Sequence, residues 1–425
     1  MVARLASWGL LLLTSVNAAP QAVSAPASQS CTRTACATST ISTGTPTASP
    51  SAVPSLTTEE RDELFELHEQ LVNIPSISGE EQECADYIAE YLEELGYYVE
   101  KVPVEETGSY NVFAYSTALR KEGGWPEVLI TSHIDTVPPF YPFERREENG
   151  TVFHYGRGTV DAKGPIATMI IASHKFLESR TDTPSLGMLF VTSEEVGGIG
   201  MKAFASYASN TTFRAGIFGE PTEGKLASGH KGNQRLDIDV KGKSAHSAYP
   251  WLGVSAINYL AEAVVAMNAL EPALPQSDLL GATTLNTGII QGGVAGNVIP
   301  DAANASVVIR IARSEDDAVE NVREMVTGML APIKAKAEEA NATFELIWSN
   351  ASYPAPILDT DVEGLEIAPV FFGTDIPSLP QVEKKYLFGT GTIEVAHTPD
   401  EGLSQDQLVE AAEAYGLILQ SLFSS

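Results

Sequence analysis

The chain has 425 residues, room for two or three domains at about 150 residues each. Hydrophobic residues make up 44% of it and charged residues 19%, a globular balance that rules out disorder throughout. Asp and Glu number 55 against 26 Lys and Arg, and a net charge of −29 opposes a phosphate backbone, so no nucleic-acid partner is expected.

Arg4 precedes an apolar run from Leu5 to Leu13, and small residues follow to Ala19. This is the order of a signal peptide over residues 1–18, and the run is too short to span a bilayer. A secreted, extracellular protein with no membrane partner is therefore expected. Residues 19–56 are mostly Ser, Thr, Ala and Pro, a composition that cannot bury enough apolar surface to offset ordering entropy. Asn149, Asn210, Asn304, Asn341 and Asn350 each open an Asn-x-Ser/Thr acceptor for N-glycans. Cys31 and Cys36 lie in the leader and Cys84 in a helical pattern, so there is neither a disulfide framework nor a Cys metal cluster.

Thr57 to Glu60 reads as a capping box ahead of Leu64, Leu67 and Leu71 at helical spacing, and Ser78 to Glu81 as a second box ahead of Cys84, Ile88, Tyr91, Leu92 and Leu95. Strand-like runs at Val128 to Thr131, Leu186 to Thr192 and Ala215 to Phe218 alternate with helical stretches. That order predicts an α/β mixed sheet, whose ligands collect at the carboxyl ends of its strands. From about Ser228 the pattern becomes βαββαβ, ending with a strand at Thr343 to Trp348. The reading is a catalytic domain in two parts, 57–227 and 351–425, interrupted by an α+β domain over 228–350.

Five segments carry acids or histidines at points where chemistry is expected. His133 and Asp135 are two apart at a strand end, so the carboxylate can fix the imidazole tautomer. Asp161 sits in a glycine-rich turn, Glu194 and Glu195 lie side by side after a buried strand, Glu220 precedes Pro221, and His397 precedes the last helix. Taken singly, the first two segments read as well as capping residues. Adjacent buried acids, by contrast, repel unless cations neutralise them. His133, Asp161, Glu195, Glu220 and His397 are N and O ligands of the kind zinc takes, and one shared carboxylate would serve two ions. Glu194 is then left as a general base for an ion-held water.

The order His-x-Asp, Gly-x-Gly-x-x-Asp-x-Lys-Gly, Glu-Glu, Gly-Glu-Pro and late His resembles the di-zinc metallopeptidase family of acetylornithine deacetylase, succinyl-diaminopimelate desuccinylase, aminoacylase and glutamate carboxypeptidase. The resemblance covers nearly everything from Thr57 to Phe423. It implies two Zn2+ ions per subunit: one on His133, Asp161 and Glu220, the other on His397, Asp161 and Glu195, with Asp161 bridging. It also implies a cis peptide at Asp161-Ala162, a supporting role for Asp135 behind His133, and a zinc-exopeptidase-like fold whose inserted domain acts as lid and dimerisation domain. In that lid, His246 would reach a partner's site to stabilise an oxyanion, and Asn297 and Arg310 would grip a substrate carboxylate. The other histidines, His68, His154, His174 and His230, read as structural. Gly389, in a Gly-Thr-Gly-Thr run, could lend backbone N–H groups to a substrate.

The expected function is a secreted zinc carboxypeptidase cleaving beside a free carboxylate in short peptides, as a possible homodimer. An N-acyl amino acid deacylase would use the same residues. A lidless zinc aminopeptidase shares part of the pattern, but the inserted unit argues against it. A catalytically silent peptide-binding protein finds no support, because every expected ligand and the base are present.

Overall fold

The computed structural model describes residues 55–424. The signal segment, the leader to residue 54, Cys31 and Cys36 lie outside the described residues. Among the described residues no helix is long and apolar enough to cross a membrane.

A six-stranded sheet carries the first expectation. Its spatial order is Tyr97–Val104, Ser109–Ser116, Leu186–Val191, Val128–His133, Phe213–Gly219, Val382–Phe388. The last four strands in that order run parallel, and the first two form an antiparallel ribbon at the edge. Both faces are covered, so the central strands Leu186–Val191 and Val128–His133 are buried along their whole length. Val128, Ile130, Met188, Ala215 and Ile217 pack against the helices Thr58–Asn73, Gln82–Glu94, Lys163–Glu178 and Gln405–Phe423. The alternate residues Leu129, Leu189, Val191 and Phe218 meet Met201 and Phe204 of the Ile199–Tyr207 helix. Cys84 is a buried free thiol in the first of these cores.

The two N-terminal boxes fare differently. Thr57 caps its helix, and Glu60 returns the bond to the Thr57 N–H. The second box does not form: the helix Gln82–Glu94 begins after Glu81 with no side-chain cap. Its two polar ends are drawn to a stronger demand, for Ser78 Oγ donates to Asp135 Oδ2 (2.7 Å) and Glu81 Oε1 accepts from Ser193 Oγ (2.9 Å). Both targets belong to the loops described below, where buried charge outweighs the roughly 1 kcal/mol a cap supplies.

Residues 232–348 realise the predicted βαββαβ order as an antiparallel sheet: Thr284–Gly292, Ala302–Ile311, Gly232–Lys241, Thr343–Trp348. Period-2 alternation splits it into two faces. Leu236, Ile238, Val240, Ala305, Val307, Ile309 and Phe344 pack under the helices Ala256–Leu270 and Ala318–Glu339. Among the described residues no helix covers the opposite face, which carries Asn233, Asn304, Ser306, Val308 and Arg310.

Candidate metal centre

Parallel strands end together, and here the ends carry the acids. His133 is the last residue of its strand; Glu194 and Glu195 follow the strand ending at Val191; Glu220 follows Gly219; and His397 lies in the loop after Phe388. Asp161 comes from the turn before the Lys163–Glu178 helix, and its peptide bond to Ala162 is cis. Two neighbours hold non-glycine backbone at positive φ, Ser193 at 59° and His397 at 64°, conformations that persist where the surroundings impose them.

The five sequence-selected groups meet. His133, Asp161 and Glu220 form one cluster of potential ligands and Asp161, Glu195 and His397 a second, the ligand atoms within each lying within 4.8 Å of one another. His133 Nε2 is 2.9 Å from Asp161 Oδ1 and 3.7 Å from Glu220 Oε1. His397 Nε2 is 3.2 Å from Asp161 Oδ2 and 2.9 Å from Glu195 Oε1. Asp161 thus turns one carboxylate oxygen to each histidine.

The electrostatics call for cations. Burial pushes the Glu194 carboxyl well above the usual range, and Asp375, Glu195 and Asp135 add to it against the pull of His133. Burial does the same to Glu220, with Asp161, Glu194 and Glu195 as like charges. Asp161 is held low in spite of its burial because His133 and His397 donate to it. Burial works against a charge on His133, yet Glu220, Asp135 and Asp161 raise it well above the imidazole range; hydrogen bonds to Asp161 and Glu195 raise His397 to about 10. Each histidine Nε2 faces two carboxylates, and a donor set of two His and three carboxylates fits two divalent ions around a shared Asp161.

Asp135 departs from its expected geometry. The His133 Nδ1–H lies 2.9 Å from the Asp135 backbone oxygen, while the carboxylate Oδ1 is 3.6 Å away. That carboxylate accepts instead from the backbone N–H groups of Glu194 (2.9 Å) and Glu195 (3.2 Å) and from Ser78. Asp135 therefore fixes the imidazole through its main chain and the Glu-Glu turn through its side chain. It is wholly buried beneath the site.

Gly389 is corrected. It is buried, its N–H is given to Thr222 Oγ1 (3.0 Å), and its oxygen accepts from the Gly224 N–H. No donor remains for a substrate. A Cβ there would stand 2.2 Å from the Glu220 oxygen, so the glycine lets the Phe388 strand approach the backbone that carries Glu220.

The centre opens into a cleft of about 770 Å³ lined by Asp161, Glu194, Glu195, Glu220 and His397 on one side and by Asn233, Val308 and Arg310 from the open face of the second sheet. Arg310 has no carboxylate partner among the described residues. Its guanidinium and the Tyr353 hydroxyl crowd Gly373, where a Cβ would lie 2.9 Å from Arg310 Nη1 and 2.5 Å from the Tyr353 oxygen. His246 and Asn297 are not in this cleft: His246 is exposed and pairs with Val298, one residue beyond Asn297, in a two-stranded ribbon.

Three residues escaped the sequence reading. Arg157 and Glu401 form a buried ion pair at 2.6 Å. Glu401 Oε1 accepts from the N–H of Val160 (3.0 Å) and Asp161 (3.2 Å), and Arg157 donates to the backbone oxygens of His397 and Thr398 (3.3 Å each). The pair clamps the Asp161 turn to the His397 loop across some 240 residues of chain. Both members stand inside segments already marked for Asp161 and His397, so complementary charge was the available signal. Asp375, buried and raised to about 7 chiefly by burial, lines the cleft near Glu194; nothing periodic in its loop marks it.

Comparison with known proteins agrees with this geometry. Residues 228–338 match the model of a peptidase dimerisation domain. A probable carboxypeptidase of Uncinocarpus reesii is 41% identical over 396 residues, covering 84% of this chain and 86% of its own. Among solved structures, a tripeptidase of Staphylococcus aureus superposes with a TM-score of 0.71 at 22% identity, covering 86% of this chain and 99% of its own. An M20 family metallo-carboxypeptidase of Sulfolobus solfataricus does so with 0.65 at 18%, covering 84% and 98%. With a carboxypeptidase relative 41% identical over most of both chains, a matching peptidase dimerisation domain and ligands of the right chemistry in the cleft, the chain belongs to the M20 metallopeptidase family.

Proposed function

We propose that the protein is a secreted carboxypeptidase that hydrolyses the amide bond next to the free C-terminal carboxylate of short peptides, using two zinc ions. The observation that carries the proposal is the pairing, across one cleft, of two candidate ligand clusters sharing Asp161 with an Arg310 guanidinium that has no carboxylate partner among the described residues.

In this reading His133, Asp161 and Glu220 hold one ion and His397, Asp161 and Glu195 the other. The ions would supply Lewis acidity, making water acidic and polarising the scissile carbonyl. Glu194 takes a proton from the attacking water and returns it to the leaving amine nitrogen, so the acid ends the cycle as it began. Arg310 receives the substrate carboxylate with charge-assisted hydrogen bonds and excludes substrates whose terminus is blocked. His246 and Asn297, exposed on their ribbon, would act on a partner subunit's cleft in a homodimer, where a His donor suits a developing oxyanion.

A panel of dipeptides, their C-terminal amides and N-acetyl amino acids, run on the zinc-loaded protein, tests the reading. Hydrolysis of free dipeptides with loss on amidation is expected; activity confined to N-acetyl amino acids would assign the runner-up, an acyl amino acid deacylase. Light scattering tests the partner: a monomer would remove the in-trans role of His246.

A further inference from the structure

The five glycan acceptors are the sequence feature that catalysis leaves unused. All five asparagines are exposed. Asn149 and Asn341 occupy turns at positive φ, Asn210 follows a helix, and Asn304 lies on the uncovered sheet face opposite Gln291 and Asp239. Asn350 alone among them lines the cleft, and the rest of its acceptor, Ala351 and Ser352, lines it too.

We infer that Asn350 is an N-glycosylation site whose oligosaccharide stands at the mouth of the active-site cleft and limits the length of substrate admitted. The inference rests on the secreted-enzyme reading above, since the modification needs the secretory route. In the transfer, the Asn350 amide nitrogen forms a bond to the anomeric carbon of a polyprenyl-diphosphate-linked oligosaccharide. The bond from that carbon to the diphosphate oxygen breaks, the lipid diphosphate leaves, and the amide loses one proton.

The attachment point is firmly held. Arg323 Nη2 donates to the Ser349 oxygen (3.0 Å) and to Ser352 Oγ (3.2 Å), Gln234 Nε2 donates to the same Ser349 oxygen (3.3 Å), and Ser349 N–H bonds to Arg235 O (3.0 Å). Asn233 and Tyr353 exchange backbone hydrogen bonds on the far side, at 3.0 and 3.1 Å. A loop pinned at both ends keeps the attachment point in the cleft lining, so the space swept by a branched, hydrated sugar stays centred there. A dipeptide fits beneath such a group within the cleft; a longer peptide has to leave through the mouth that the sugar occupies.

The test is to express the full chain in a secreting eukaryotic host, map glycopeptides by mass spectrometry, and compare kcat/KM for a dipeptide and an octapeptide. The comparison runs before and after endoglycosidase treatment of the native protein, with Asn350→Gln and Ser352→Ala as two independent ways to remove the acceptor. An occupied Asn350, with octapeptide hydrolysis rising several-fold on sugar removal by any route while dipeptide hydrolysis changes far less, supports the inference. An unoccupied Asn350, or equal effects on both lengths, overturns it. Occupancy is read without substrate. If the enzyme instead cleaves only N-acyl amino acids, the peptide reading fails while the glycan is judged on short and long acyl chains.

Discussion

Two pairs of histidines in this chain face opposite fates. His133 and His397 sit among carboxylates and are pushed up, His397 to about 10. His68 and His154 are buried with their rings nearly parallel at 7° and their Nδ1 atoms 2.9 Å apart; burial and neighbouring cations push them down to about 3 and about 4. In the second pair every proton has one place. The Thr159 oxygen can only accept, so His68 Nε2 carries the hydrogen at 3.1 Å. His68 Nδ1 then accepts from His154 Nδ1, and His154 Nε2 accepts from Gln405 Nε2 (3.0 Å). An additional proton sets N–H against N–H. The same side chain is thus a candidate ligand when acids surround it and a neutral brace when they do not.

The comparison can be tested from its strongest element to its weakest. Glu194→Gln removes the proton carrier and leaves every proposed ligand in place, so kcat is expected to fall by roughly 10²–10⁴ while metal content by mass spectrometry is unchanged. A retained rate would end the base assignment. Glu401→Ala breaks the buried clamp on Asp161 and His397 and leaves Arg157 without its charge partner, an expected loss of about 3–5 kcal/mol in chemical unfolding. Glu401→Gln keeps an acceptor for the Val160 and Asp161 N–H groups and should retain more metal affinity than Glu401→Ala. Equal metal affinities would show that the clamp does not position the ligands.

Protons and metal compete for His397. In the metal-free protein its pKa stands above the unfolded value of 6.5, so the stability from its acidic partners is complete below pH 6.5 and is lost as pH rises toward 10. Metal binding must expel that proton. Affinity measured by calorimetry is expected to rise with pH across this window, by up to about tenfold per unit for each proton released, with heats that depend on the buffer. A pH-independent affinity would contradict the proton-held form.

The buried pair gives the opposite signal. Its folded pKa values lie below 6.5, so its contribution is complete above pH 6.5 and declines as pH falls toward 4 and 3. Replacing His154 by Gln is expected to flatten the acid side of the stability profile of the metal-loaded protein, leaving the alkaline side as it was. An unchanged acid limb would place the titration elsewhere.

Much of the fold was legible because periodicity reports burial. The alternation in Leu236 to Val240 and the helical stripe from Cys84 to Leu92 each need only a local repeat, and both emerge in the structure. The second capping box shows where locality ends. Ser78 and Glu81 have the correct spacing to cap a helix, yet they serve Asp135 and Ser193, more than 50 and 100 residues away. Gly389 was misplaced for a related reason: a glycine that bonds substrate and a glycine that lets two strands approach look alike in sequence.

The amino-acid sequence by itself determined the ligand chemistry, because each of His133, Asp161, Glu194, Glu195, Glu220 and His397 stands beside a strand end, a turn or a loop where side chains project from the sheet. Only the tertiary structure decided how they are shared and supported. One Asp161 oxygen for each histidine, the Arg157–Glu401 clamp, the divided duty of Asp135 and the placing of Arg310 opposite the centre all depend on distances between segments far apart in the chain, and a local pattern carries no information about distance.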